Sequence, residues 1–202
     1  MEYTQKEIKK IARHIKSGEV AVLPTDTVYG LCASAFDKKV VSRVYHLRQR
    51  DIKKPCIILI SSLADLDLFY IKISNHARKI LRKLWPNPVS VVLPCPQKEF
   101  SYLHKGTKTL AFRIPQDPFL KTLLKRTGPL IAPSANKQGK LPAKTVQQAI
   151  AYFSDKVSVY VNGGTKNKSA STVIALSADG VYFKIVRRGP VSSTELKKIF
   201  IS

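Results

Sequence analysis

Short apolar runs alternate with capped amphipathic segments from one end of this chain to the other, and that alternation restricts its fold more than any other property. Thr4 and Glu7 stand at capping-box spacing, Ile8, Ile11 and Ile15 share one helical face, and Gly18 closes the segment, so residues 4–17 are expected to be a helix. Strands are expected over 20–23 and 31–36. Asp37 then caps a helix with Val40, Val41, Val44 and Leu47 on one side, and residues 56–60 form a fully apolar, β-rich run. Ser62 and Ser74 are placed as further caps. Strands over 89–93 and 109–114, a helix over 117–126 and a short strand over 130–132 follow. Thr145 opens a helix to Phe153, strands are expected over 157–161, 172–176 and 182–186, and a last helix begins near Ser193. Helices and strands are interspersed throughout, which specifies an α/β layered sheet. With 202 residues, 44% of them apolar, and no repeat, low-complexity tract or linker, one domain over 1–202 is expected, with Gly163–Lys168 as a flexible loop.

The composition narrows the chemistry. Thirty-five Lys and Arg face 13 Asp and Glu, a formal charge of +22. That field concentrates anions such as nucleotides and RNA, although lysines spread over solvated faces give the same total. No apolar run approaches the ~20 residues of a membrane span, and the start Met1-Glu2-Tyr3-Thr4-Gln5-Lys6 has no apolar signal region, so a cytoplasmic protein is expected. Cys32, Cys56 and Cys95 are far apart and read as reduced thiols. His14, His46, His76 and His104 are scattered, so no zinc site is expected. There is no Gly-x-Ser-x-Gly elbow, no Gly-Lys-Ser/Thr phosphate loop and no Gly-x-Gly-x-x-Gly. So few acids also fit poorly with a two-carboxylate hydrolase. A site here is expected to act by positioning and charge neutralisation, with no protein nucleophile.

Five clusters suit that chemistry. Leu23-Pro24-Thr25-Asp26-Thr27-Val28-Tyr29-Gly30-Leu31 follows a short strand and offers hydroxyls from Thr25 and Thr27 and the ring and hydroxyl of Tyr29. Taken alone, it equally describes a polar turn. Arg48, Arg50 and Lys54 suit a polyphosphate if the helix has ended before Arg50, and a solvated basic helix end otherwise. Ser134-Ala135-Asn136 lies after a short strand, where α/β folds place ligands, though an ordinary Asn turn reads the same way. Ser171-Thr172 opens a strand with two hydroxyls, and Arg187-Arg188-Gly189-Pro190 closes the last strand with a guanidinium before a tight turn.

Taken in order, from about Val20 to Val191, these clusters resemble the threonylcarbamoyl-adenylate synthase family, the YrdC/Sua5/TsaC group. The opening loop is similar to the family's Pro-Thr-(Glu/Asp)-Thr-Val-Tyr-Gly-Leu, Arg48-Gln49-Arg50 with Lys54-Pro55 to its Lys-x-Arg segment, and Trp85-Pro86-Asn87-Pro88-Val89-Ser90 to its Trp-Pro-Gly-Pro-Leu-Thr. Ala111-Phe112-Arg113-Ile114-Pro115, Ser134-Ala135-Asn136, Ser171-Thr172 and Arg187-x-Gly189 complete the series. The resemblance implies a twisted, open mixed sheet with flanking helices around a basic concave cavity, in the short single-domain form. It implies synthesis of threonylcarbamoyl-AMP and pyrophosphate from L-threonine, bicarbonate or CO2, and ATP with its Mg²⁺. A tRNA threonylcarbamoyl transferase complex then places the group on adenosine 37 of tRNAs reading ANN codons. By the same resemblance Thr25, Tyr29, Arg50 and Ser171 hold threonine, while Arg48, Arg50, Lys54, Arg113, Ser134, Asn136 and Arg187 hold the nucleotide. Arg48 replaces the family's usual lysine, Asn87 its glycine and Arg188 its proline. The competing expectations are a paralogue with other carbamoyl-adenylate chemistry and a non-catalytic RNA-binding module.

Overall fold

A computed structural model of the chain describes residues 1–51 and 53–201, for Ile201 the backbone alone. Ile52 of the basic run and Ser202 at the end of the expected domain lie outside them. In chain order the elements are β1 (Glu2–Thr4), α1 (Ile8–Lys16), β2 (Ala21–Pro24), β3 (Tyr29–Ser34), α2 (Lys38–Arg48), β4 (Ile57–Leu59), α3 (Asn75–Leu84), β5 (Val89–Pro94) and α4 (Ser101–His104). They continue with β6 (Thr109–Arg113), α5 (Pro118–Thr127), β7 (Leu130–Ile131), α6 (Val146–Phe153), β8 (Val159–Asn162), β9 (Thr172–Leu176), β10 (Phe183–Arg187) and α7 (Ser193–Ile201).

The caps act as the sequence predicts. Asp37 accepts from the Lys39 and Val40 amides, Ser74 from Ala77, Asp117 from Leu120 and Thr145 from Gln148, satisfying donors that a helix start leaves unpaired. Two local expectations change. Thr4, the first residue of the expected N-terminal helix, instead ends β1, because residues 2–4 pair in parallel with β8 and bury Tyr3. Ser62 opens a 3₁₀ segment, Leu63–Phe69, in place of an α-helix. The last helix begins at Ser193 as expected, with the Ser192 hydroxyl and amide exchanging hydrogen bonds with Glu195.

The strands join in a ten-stranded mixed sheet ordered β1-β8-β2-β3-β7-β4-β6-β5-β9-β10. Side chains alternate across it, as strand geometry requires. Val22, Ile58, Ile131, Phe112, Val91 and Ile174 enter the larger core, which α2, α3, α4, α6 and α7 cover. Leu23, Leu59, Leu130 and Val159 point the other way, into a smaller core under α1 and α5. Those two helices cover only half of their face. On β6, β5 and β9, and at the Ile57 end of β4, the same face borders the candidate site.

Candidate active site

A cavity of about 790 Å³ lies on the open half of that face. Its floor is set by strand parity. Ile57 of β4, Ala111 of β6, Val92 of β5 and Val173 of β9 line it, while the residues beside them in sequence (Ile58, Phe112, Val91 and Ile174) enter the opposite core. A register shift between Ile185 and Arg187 sets Arg187 opposite Val173, and Arg187 lines the cavity. At the border with the covered half, strands carry the same parity from one environment into the other. Leu23 and Leu130 are in the small core, whereas Thr25 and Ala132, two residues further on, line the cavity.

The cavity is strongly electropositive. Arg50, Lys54, Arg113 and Arg187 line it, and no carboxylate does among the described residues. Burial holds the Arg187 guanidinium below the usual arginine range, and the charges of Arg113 and Arg50 push it the same way. Arg113, 4% exposed, is also lowered by burial. Its counter-charge is Asp26, 3.2 Å from Nη2, and its Nη1 donates to Thr27 Oγ1 at 3.2 Å. Guanidiniums remain charged at neutral pH despite such shifts. Cations held this close with so little internal compensation are stabilised by an anion in the cavity.

The polar walls are held by their own networks. Thr25 Oγ1 accepts from the Thr27 and Val28 amides at 3.1 and 3.2 Å, which folds the Thr25–Tyr29 loop into a tight polar turn. Arg50 donates to the carbonyls of Lys54 and Pro55 at 2.9 and 3.0 Å. Arg187 donates to the Ser171 carbonyl through Nε and Nη2 and to Ser171 Oγ at 3.2 Å. Ser171 Oγ also pairs with Ser90 Oγ at 2.8 Å.

The structure brings Thr25, Tyr29, Arg50, Lys54, Arg113, Ser134, Ser171 and Arg187 to one cavity and leaves Arg48 and Asn136 behind its wall. Gln49 adopts a left-handed conformation that ends α2, so the two arginines part. Arg50 reaches the cavity, while Arg48, 4% exposed, turns inward. Arg48 Nε donates to the Asn136 carbonyl at 3.0 Å, and its Nη2 donates to Asn136 Oδ1 at 3.0 Å and Ser134 Oγ at 3.2 Å. Burial, and then the charge of Arg50, lowers the Arg48 guanidinium to about 10. The Asn136 Nδ2 donates to the carbonyls of Lys137 and Lys140, so its side chain is engaged by its own loop and by Arg48. Arg48 and Asn136, expected at the nucleotide, are thus joined to each other and to Ser134 behind the cavity wall. Tyr29 is among the residues that border the cavity, but its side chain is wholly buried in the larger core, and its hydroxyl donates to the Gly164 carbonyl at 2.8 Å and accepts from the Gly163 amide at 3.0 Å. That hydroxyl anchors a loop.

Two supporting groups escaped the sequence-based selection. Asp26 stood inside the opening motif and carries the counter-charge for Arg113. Ser90 stood in the Trp-Pro segment. The signal for Ser90 was a lone polar residue inside the apolar run Val89-Ser90-Val91-Val92-Leu93.

Comparison with known proteins identifies the family. The family model Sua5/YciO/YrdC, described as "Telomere recombination", matches residues 13–189. A protein of Mycobacterium tuberculosis (strain ATCC 25618 / H37Rv) named putative threonylcarbamoyl-AMP synthase is 32% identical over 92% of this chain and 85% of its own length. The threonylcarbamoyl-AMP synthase of Bacillus subtilis (strain 168) is 28% identical over 96% of this chain, which spans 56% of that protein. The crystal structure of P. abyssi Sua5 complexed with L-threonine superposes with a TM-score of 0.89 at 28% identity, covering 98% of this chain and 60% of that one. With the family model spanning most of its residues and relatives aligned over nearly its whole length, the chain belongs to the Sua5/YciO/YrdC family.

Proposed function

We propose that the protein is an L-threonylcarbamoyladenylate synthase, a nucleotidyltransferase that forms threonylcarbamoyl-AMP and pyrophosphate from L-threonine, bicarbonate or CO2, and ATP. The observation that carries this reading is the cavity lining: Arg50, Lys54, Arg113 and Arg187 with no carboxylate among them. Threonine's amine and CO2 give a carbamate and a proton. A carbamate oxygen then forms a bond to the α-phosphorus of ATP, the bond to the β-phosphate bridging oxygen breaks, and pyrophosphate leaves with the electron pair. The nucleophile belongs to the substrate, so the protein's task is to bring two anions together and stabilise charge on phosphate oxygens.

Arg50, Lys54 and Arg187 are assigned to the phosphates, with Ser134 at the nucleotide and Arg48 and Asn136 bracing it. Thr25, Tyr29 and Ser171 are assigned to threonine, with Arg50 between the two substrates and Arg113 completing the nucleotide side. Mg²⁺ arrives on the nucleotide and neutralises phosphate charge; among the described residues no group of three or more His, Cys, Asp or Glu could hold a metal. The labile product would pass to a tRNA threonylcarbamoyl transferase complex in the cytoplasm, for adenosine 37 of tRNAs reading ANN codons. Non-specific RNA contact through the +22 charge would accompany it. No helix of the described residues is long and apolar enough to cross a membrane. The decisive experiment is pyrophosphate release from ATP and bicarbonate with and without L-threonine, with L-serine as control. Strong threonine dependence is expected. ATP binding without threonine dependence would point to the paralogue, and no ATP binding would sink the enzyme reading.

A further inference from the structure

The Ser90 hydroxyl, on the cavity side of β5, is completely buried (0% exposed). Among the described residues its partner is Ser171 Oγ at 2.8 Å, a bond in which either oxygen has the chemistry to donate. Counting protons fixes the direction. Arg187 Nη2 has no lone pair to offer, so at 3.2 Å it must donate to Ser171 Oγ. If Ser171 also donated to Ser90, the Ser90 proton would be left buried with no acceptor, at a cost of about 1–3 kcal/mol. If Ser90 donates instead, both lone pairs of Ser171 Oγ are filled, one by Ser90 and one by Arg187. The Ser171 proton is then directed away from both, and Ser171 lines the cavity.

We infer that Ser90 is a positioning residue that, by donating to Ser171, presents the Ser171 hydroxyl as a fixed donor to an oxygen of the bound substrate; resting on the synthase reading, that oxygen belongs to the carboxylate of L-threonine. A fixed hydroxyl donor in a cavity lined by guanidiniums matches the needs of a carboxylate. Without Ser90 the Ser171 hydroxyl regains rotational freedom and spends part of its time donating to nothing.

The test compares Ser90→Ala, Ser90→Thr, Ser171→Ala and the Ser90→Ala/Ser171→Ala double variant, each checked for an unchanged thermal midpoint. Ser90→Ala is expected to raise the threonine KM about tenfold, as the loss of one charge-assisted hydrogen bond would, and to move the ATP KM by less than about twofold, a shift of under roughly 0.4 kcal/mol. Ser90→Thr, which keeps the donor, is expected to restore the threonine KM. In the Ser171→Ala background, Ser90→Ala is expected to change nothing more, because its effect passes through Ser171. Additive effects of the two substitutions, equal shifts in both KM values, or no rescue by threonine in a stably folded variant would each overturn the inference. Calorimetric titration of L-threonine keeps the two proposals apart. A wild-type protein that binds threonine, and binds it about tenfold more weakly as Ser90→Ala, upholds the role of Ser90 even if no pyrophosphate is released. Failure of the wild type to bind threonine overturns it.

Discussion

One face of the sheet presents two regions built by the same rule to opposite ends. On the half under α1 and α5, inward positions carry Leu23, Leu59, Leu130 and Val159, and Leu120, Leu123 and Leu124 of α5 are buried in the same core. On the other half the same strand parity carries Thr109, Ala111 and Arg113 on β6, Val92 on β5 and Val173 on β9, with no helix above them. The difference lies in what closes the face. Where a helix covers it, apolar area is removed from water and contributes stability, at roughly 25 cal/mol per Å². Where none does, the strands hold out small side chains and guanidiniums, and closure is left to the substrates. Binding energy and folding energy thus come from one face without competing for the same residues.

Substitutions in the two halves should therefore fail in different currencies. The largest effect is expected from Arg187→Ala on the open half: turnover should fall by about 10²–10³, as when a preorganised charge-stabilising donor is removed, while the thermal midpoint changes little. Steady-state kinetics at saturating ATP checks it, and near-normal turnover would remove Arg187 from the site. On the covered half, Leu123→Ala removes a fully buried side chain of α5. It should cost about 2–5 kcal/mol of stability, read by denaturant unfolding, with kcat per folded molecule unchanged. A loss of kcat without loss of stability there would break the distinction.

The seam between the halves should respond in both measurements. Arg48 makes three hydrogen bonds to Ser134 and Asn136 from behind the cavity wall. Arg48→Met leaves those acceptors unpaired, so about 1–3 kcal/mol of stability and about tenfold in kcat/KM for ATP should be lost together. A fall in activity alone would return Arg48 to direct substrate contact.

How much of this could be read in advance follows the same division. Caps were legible because Asp37, Ser74, Asp117 and Thr145 each satisfy backbone amides within three residues, which is local information. Strand existence was legible from apolar runs, but β1 was not, since three residues with one buried side chain carry no pattern and owe their conformation to pairing with β8. The eight cavity residues were selected because the family motif supplied their order. What the motif did not supply was direction. Arg48 and Arg50 are equivalent in sequence, and only the left-handed turn at Gln49 separates brace from binding group. The Tyr29 hydroxyl looked free because its partners, Gly163 and Gly164, lie more than a hundred residues away. Ser90 and Asp26 act through neighbours rather than on the ligand, and such roles are decided by tertiary contacts that no local pattern records.

The smallest expected effect concerns pH, and it sharpens the contrast because the covered half encloses a buried thiol. Cys32 lies wholly inside the covered half, where burial pushes its thiol from 9.0 up to about 12, partly offset by the charge of Arg113. A group whose folded value is raised holds its proton longer in the native state than in the unfolded chain. Its contribution to stability is therefore complete below pH 9, and is lost as the pH rises toward 12. Cys95, Tyr102 and Tyr160 are raised in the same sense and share that alkaline loss. Cys32→Ala should thus start less stable at pH 8 yet decline less steeply between pH 9 and 10.5, by up to about 1.4 kcal/mol per pH unit, in denaturant titrations run at each pH. The buried neutral thiol should also resist alkylation at pH 8 in the folded protein and react once unfolded. An alkaline limb as steep in Cys32→Ala as in the wild type would mean that the thiol meets water through the cavity, and that the boundary between the covered and open halves is less complete than the packing of Cys32 implies.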